Sequence, residues 1–166
     1  MPDNKKNQTR QGTAKAAARP VLRLSGFLPY RLNHLAETVS RSFSRIYAEK
    51  YGIGIPEWRV IATLGEYDAM TARDISQATS MHKTKVSRAV AALEKLALVQ
   101  RVRNPEDQRE QVLRLSPEGE AVYADIVPQA LAYSARLENA LTAEQKALLN
   151  DLFDRLHKAA EAGGSG

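Results

Sequence analysis

The sequence predicts a mainly α-helical chain interrupted by one small β-hairpin. Apolar residues recur at steps of three and four through most of residues 28–160, the spacing that lines them along one face of a helix. Only around residues 98–115 does the period shorten, where two mixed apolar and polar segments flank a polar turn. Glycine, proline and hydroxyl residues fall at the ends of these runs, where the chain has to change direction.

Taken in order, the first helix is expected over residues 28–50, with Leu28, Leu32, Leu35, Val39, Phe43 and Ile46 as its stripe. Gly52 and Gly54 end it, and Pro56 suits the first turn of a second helix reaching Tyr67, with Trp58, Val60, Ile61 and Leu64 apolar. A short third helix over 72–79 starts from Thr71, whose spacing to Asp74 resembles a capping box, and turns Ala72, Ile75 and Ala78 inward. After a turn at Thr79, Ser80 and Met81, a fourth helix is expected over 83–97, with Val86, Val90, Leu93 and Leu96 or Ala97 apolar. Residues 98–103 and 110–115 form the hairpin, and 104–109 its charged tip. Ser116 caps and Pro117 opens a fifth helix carrying Val122, Ile126 or Val127, Ala130, Tyr133, Leu137 and Leu141, kinked at Pro128. Thr142 with Gln145 makes a second capping box, which starts a sixth helix bearing Leu148 or Leu149, Leu152, Phe153, Leu156 and Ala160.

Composition narrows the function. The chain has 166 residues and a formal net charge of +5, all of it accounted for by residues 1–24, where six bases face Asp3 alone. The low apolar content of that stretch reads as a disordered basic arm able to touch phosphates. Residues 25–162 read as one folded unit, and 163–166 as a flexible tail. No run approaches the ~20 apolar residues of a membrane span, and the N-terminus lacks a secretory core, so a cytoplasmic location is expected. Cysteine is absent, which excludes disulfides, thiolate ligands and thiol-based redox sensing. His34, His82 and His157 fall on different elements, so no metal site is expected. There is no phosphate-cradling glycine loop, no nucleophile with a partner base and no paired carboxylates in an apolar setting. An enzyme is therefore excluded, and no cofactor is called for.

Charge points instead to a polyanion. Residues 81–103 carry Lys83, Lys85, Arg88, Lys95, Arg101 and Arg103 against Glu94 alone. A helix, a short helix, a tight turn, a helix and a hairpin, in that order, are the sequence form of a winged helix-turn-helix, here residues 55–116. At 100° per residue, the side of the fourth helix opposite Val86, Val90 and Leu93 presents Thr84, Arg88, Ala91 and Lys95. Thr84, Ser87 and Arg88 could reach base edges, while Lys83, Lys85 and Lys95 suit phosphates. Thr71, at the start of the third helix, joins this set. On the hairpin, Arg109 is a candidate either for a minor groove or for pairing with Asp107 alone, Arg101 and Arg103 for the backbone, and Asp107 for holding the tip in shape.

These residues also carry a family resemblance. Ile55-Pro56-Glu57-Trp58-Arg59-Val60, Thr84-Lys85-Val86-Ser87-Arg88-Ala89-Val90 with Leu93-Glu94, and Asp107-Gln108-Arg109 followed by Leu113-Arg114-Leu115-Ser116-Pro117-Glu118-Gly119 resemble the MarR family of bacterial regulators. Ser80 stands where the family commonly has glycine, and His82 where it commonly has aspartate. The resemblance implies a homodimer held by residues 25–54 and 117–162, binding a pseudopalindromic operator on double-stranded DNA. It further implies a repressor released by a small ligand. Tyr30, Arg31, Asn33, His34, Trp58 and Arg59 are the candidate ligand-binding residues, suited to an aromatic carboxylate or its CoA thioester. The rival readings are a winged helix used for protein contacts and a regulator not gated by a ligand.

Overall fold

A computed structural model of the chain describes residues 19–103 and 111–163. Among these residues the fold is mainly helical, with one small antiparallel sheet. The chain falls into two compact units, Met1–Ala36 and Glu37–Gly166. In the first, a 3₁₀ turn at Leu24–Gly26 precedes the opening turns of helix α1 (Leu28–Tyr51), and residues 19–36 are exposed throughout.

The second unit holds the core. It contains the remainder of α1, then α2 (Ile55–Tyr67), strand β1 (Ala69–Met70), α3 (Ala72–Thr79), α4 (Lys83–Lys95), β2 (Val99–Arg103), β3 (Gln111–Leu115), α5 (Pro117–Glu138) and α6 (Ala143–Gly163). Tyr47, Ile53, Val60, Ile61, Leu64, Ile75, Val86, Val90, Leu93, Leu113 and Ile126 are its fully buried side chains. They come from α1 and its following turn, α2, α3, α4, β3 and α5, so one apolar cluster fixes these elements together.

The sheet has the order β1-β3-β2, with Val99 opposite Leu115 and Arg103 opposite Gln111 on one side of β3. On its other side, Ala69 pairs with Arg114 and Met70 with Leu113. This third strand was not expected. Two residues without β-branching give no period, and only the non-local pairing with β3 creates the strand. An ion pair of 3.2 Å between Arg114 Nη2 and Asp68 Oδ2 supports the same junction.

Helix ends follow from local chemistry. Ser116 Oγ accepts from Gly119 N–H at 3.0 Å, as its N-cap role requires. Thr142 and Gln145 form the reciprocal box, at 2.8 and 3.2 Å. Thr71 does not. It accepts from Asp74 N–H at 3.1 Å, but its hydroxyl then donates to Asp74 Oδ2 at 2.7 Å, because the aspartate side chain is short and turns onto its neighbour's hydroxyl. The fourth helix stops at Lys95, not 97. Ala97 takes a left-handed φ of 57°, Ala97 N–H reaches Glu94 O at 3.0 Å and Leu98 N–H reaches Leu93 O at 2.9 Å. That is a Schellman ending, and it leaves Leu96 exposed while Leu93 and Leu98 close over it. Ala78 is likewise exposed, and α3 buries only Ile75. Helix α5 runs through Pro128 and ends at Glu138, short of Leu141.

Ser80, between α3 and α4, has φ 53° and ψ 25°, a left-handed conformation that side chains with a Cβ disfavour. This geometry explains a glycine at that position. Ser80→Gly is expected to stabilise the protein by roughly 0.5–1 kcal/mol, since relief of Cβ strain exceeds the added entropy of the unfolded chain. A urea midpoint unchanged or lowered relative to wild type would contradict this account.

Candidate nucleic-acid interface and cavity

Helix α4 has two unlike sides. Val86, Ala89, Val90 and Leu93 are buried, whereas Lys83, Thr84, Lys85, Ser87, Arg88, Ala91 and Lys95 are exposed. The stripe residues pack on α2 and α3, and that packing leaves the cationic side with no place to go but outward. His82 caps the helix by accepting Thr84 N–H on Nδ1 at 3.3 Å, a longer and weaker contact than a carboxylate would give.

Between α3 and α4 lies an open groove lined by Ala72, Arg73, Ser76, Gln77, Lys83, Thr84, Ser87 and Arg88. It brings together four of the residues singled out from the sequence, Lys83, Thr84, Ser87 and Arg88. Arg73 and Gln77 were missed. They occupy the exposed side of α3, and the signal was their position opposite Ile75 on a helix with a single buried residue. Arg73, Lys83, Lys85, Arg88 and Lys95 form no ion pair with any described residue, so their charges are open to an external anion.

Thr71 stands at the start of α3 with its hydroxyl already engaged by Asp74. Arg101, on β2, is held by Glu94 Oε1 at 2.7 Å. An exposed pair of this kind contributes at most ~1 kcal/mol, too little to keep Arg101 from a phosphate that approaches. Arg103 is exposed at the end of β2. Asp107 and Arg109 lie outside the described residues.

A cavity of about 300 Å³ lies in the second unit, lined by α1 (Val39, Ser40, Phe43, Tyr47), α2 (Ile55, Trp58, Arg59) and α5 (Ala130, Tyr133, Ser134, Leu137). Four rings wall it. Tyr47 stacks on Trp58 at 5.6 Å, and Phe43 meets Tyr47 at 5.4 Å, Tyr133 at 5.3 Å and Trp58 at 5.9 Å. Tyr133 Oη donates to Val39 O at 3.0 Å, tying α5 to α1. Farther along the same two helices, Asp125 accepts from Lys50 Nζ at 2.9 Å and from Tyr51 Oη at 2.8 Å. Those donors hold the Asp125 carboxyl below its usual range, and the salt bridge raises Lys50 in turn.

Of the sequence-derived ligand candidates, Trp58 and Arg59 line this cavity. Tyr30, Arg31, Asn33 and His34 are exposed on the part of α1 that belongs to the first unit, where Tyr30 and His34 stack at 6.3 Å. Phe43, Tyr47 and Tyr133 were missed as lining residues. In the sequence, Phe43 and Tyr133 read as core stripe, and nothing distinguishes a ring that fills the core from one that borders a void. Arg59 is the lone charged side chain among the lining residues, and it has no ion pair or hydrogen bond to a described residue.

Comparison with known proteins bears on the same segment. A family profile described as "MarR family" matches residues 51–110, which run from the last residue of α1 through β2 and the segment that follows it. The chain is 30% identical over 106 residues to the HTH-type transcriptional regulator FarR of Neisseria gonorrhoeae, covering 64% of this chain and 73% of that protein. It is 24% identical over 119 residues to the homoprotocatechuate degradative operon repressor of Escherichia coli, covering 72% and 80%. Among solved structures, a MarR/EmrR family transcriptional regulator from Acinetobacter sp. ADP1 superposes with a TM-score of 0.77 at 25% identity, covering 85% of this chain and 99% of that one.

Proposed function

The chain belongs to the MarR family of DNA-binding transcriptional regulators, and from that premise we propose a repressor released from its operator by a small aromatic carboxylate or its CoA thioester. Membership carries operator binding and dimerisation with it, and it sets the chain among regulators rather than enzymes. Among the described residues no helix is long and apolar enough to cross a membrane.

The observation that carries the proposal is the double duty of α2. One side gives Trp58 and Arg59 to the cavity, and the other buries Val60, Ile61 and Leu64 in the core shared with Val86 and Val90 of α4. A ligand that displaces Trp58 therefore acts on the element against which the reading helix is packed. A bistable interface of this kind can turn a small shift into loss of DNA register. The relative from Escherichia coli supports the chemical class, since its name contains an aromatic acid.

In this reading Thr84, Ser87 and Arg88 face base edges, Lys83, Lys85, Lys95, Arg101 and Arg103 meet phosphates, and the wing residues Asp107 and Arg109 complete the grip. Two copies join through the apolar stripe of α6, where Leu148, Leu149, Leu152 and Phe153 are 38–57% exposed and no residue is buried. Each copy then presents one α4 to half of a pseudopalindromic operator.

The test is a mobility-shift assay with the full chain and its own upstream DNA, repeated in the presence of aromatic acids and their CoA thioesters. A competitor-resistant shift that weakens with salt, and that one class of compound abolishes, is the expected result. Sequence-blind binding would favour a winged helix used for protein contacts, and a shift insensitive to every compound would remove the effector from the reading.

A further inference from the structure

We propose that His82 is a further operator contact: its imidazole closes the start of α4 through Nδ1, while its Nε2–H donates to a phosphate of the DNA strand beside that helix. The inference rests on α4 as the reading helix and adds a contact from a residue assigned above to capping alone.

The turn before α4 holds this ring in place. Met81 is buried, and its carbonyl oxygen accepts from Ser76 Oγ at 2.6 Å. His82 follows in an extended conformation, with φ −61° and ψ 140°. Its carbonyl oxygen accepts from Lys85 N–H at 2.8 Å and from Val86 N–H at 3.2 Å. The backbone of the cap is therefore fixed on both sides, whereas the residue itself is exposed.

Hydrogen-bond chemistry then decides what the ring offers. Nδ1 accepts Thr84 N–H at 3.3 Å, so that nitrogen carries no proton of its own. An imidazole whose Nδ1 accepts keeps its proton on Nε2, and this N–H has no partner among the described residues. An aspartate cap satisfies the same backbone donor but has no donor to spare. A histidine cap leaves one.

Position supplies the acceptor. A reading helix enters the major groove by its N-terminal turn, and contacts from that end to phosphate oxygens set its register. Lys83 and Thr84 follow His82 directly and line the α3–α4 groove with Arg73 and Arg88, whose unpaired charges draw the strand in. The hydroxyls of Ser76 and Thr79 beside the turn are already engaged, donating to Met81 O and to Ile75 O. A neutral ring also leaves its own signature: it adds a hydrogen bond to a phosphate without releasing a counterion, as a lysine would.

Two substitutions separate the roles, because asparagine places its carbonyl oxygen where Nδ1 lies and glutamine places its amide nitrogen where Nε2 lies. In the full-length protein, His82→Asn should keep the melting temperature yet lose roughly tenfold or more in affinity for the upstream DNA, with the salt slope of wild type. His82→Gln should melt roughly 2–4 °C lower for want of a cap, yet bind within about threefold of wild type. Ethylation of one phosphate per half-site should weaken wild type and leave His82→Asn unaffected. The chain has three histidines, so imidazole ¹⁵N spectra of the free protein at about pH 8 can be assigned by the variants and should show the His82 proton on Nε2. A cap without a DNA contact predicts the reverse order, with His82→Asn binding normally and His82→Gln failing. That order, a ring proton on Nδ1, or a salt slope lowered in His82→Asn would overturn the inference. If Arg88→Ala weakens binding while His82→Asn does not, this contact alone fails; if neither does, α4 is not the reading helix and both fail together.

Discussion

Arg88→Ala is expected to weaken operator binding by roughly 2–6 kcal/mol per dimer without lowering the melting temperature. The side chain is exposed on α4, lines the groove with Arg73, Lys83 and Thr84, and has no ion-pair partner among the described residues. A bidentate arginine contact to a guanine edge contributes roughly 1–3 kcal/mol of discrimination, and a symmetric dimer makes it twice. In binding terms that is a loss of at least about thirtyfold. Since no described residue pairs with the Arg88 side chain, stability has no reason to change. Two controls sharpen the assignment. Lys85→Ala should weaken specific and competitor DNA alike and lower the salt slope by roughly one for each phosphate no longer neutralised. Arg101→Ala should have a smaller effect than Arg88→Ala, because Arg101 exchanges one anion, Glu94, for another. If Arg88→Ala binds operator and competitor within about threefold of wild type, α4 is not the reading helix.

The outward side of α4 was legible from the sequence for a simple reason. Val86, Val90 and Leu93 are buried by local packing, and a helix with one buried side has its other residues placed by periodicity alone. Capping was legible where both partners lie within four residues, as at Thr142 with Gln145 and at Ser116 with Gly119. What the sequence hid depends on distant pairings. Strand β1 exists only because β3 lies alongside it, and the cavity exists because rings from α1, α2 and α5 meet around a void that no one of them announces. Lys50, Tyr51 and Asp125 are 74 or more positions apart in their hydrogen bonds, and nothing local marks them as partners. The end of α4 was misjudged for another reason. Leu96 and Ala97 continue an apolar pattern, but a left-handed Ala97 closes the helix through backbone bonds that periodicity does not report.

Gly119→Ala is expected to destabilise the protein by roughly 2–3 kcal/mol or more, although alanine is the better helix former. Gly119 lies in the first turn of α5 and is buried. A Cβ there would fall on the carbonyl oxygen of Leu98, which already accepts Ser116 N–H at 3.1 Å. Ser116 Oγ meanwhile donates to Ala97 O at 2.6 Å and accepts Gly119 N–H at 3.0 Å. The end of α4 and the start of α5 are thus joined backbone to backbone, with no flexible side chain to move aside. Alanine's helix preference returns about 1 kcal/mol, less than the cost of forcing two backbones apart and breaking the Ser116 cap. At roughly 2–4 °C per kcal/mol for a chain of this size, the melting point should fall by about 5–10 °C. Ser116→Ala, which removes the cap without adding bulk, should cost only about 1 kcal/mol. The junction also sets where β2 leaves α4, so operator affinity of the folded Gly119→Ala protein should fall as well. A variant that melts within about 2 °C of wild type would mean that the α4 to α5 junction can open, and that the wing is not fixed to the reading helix in the way described.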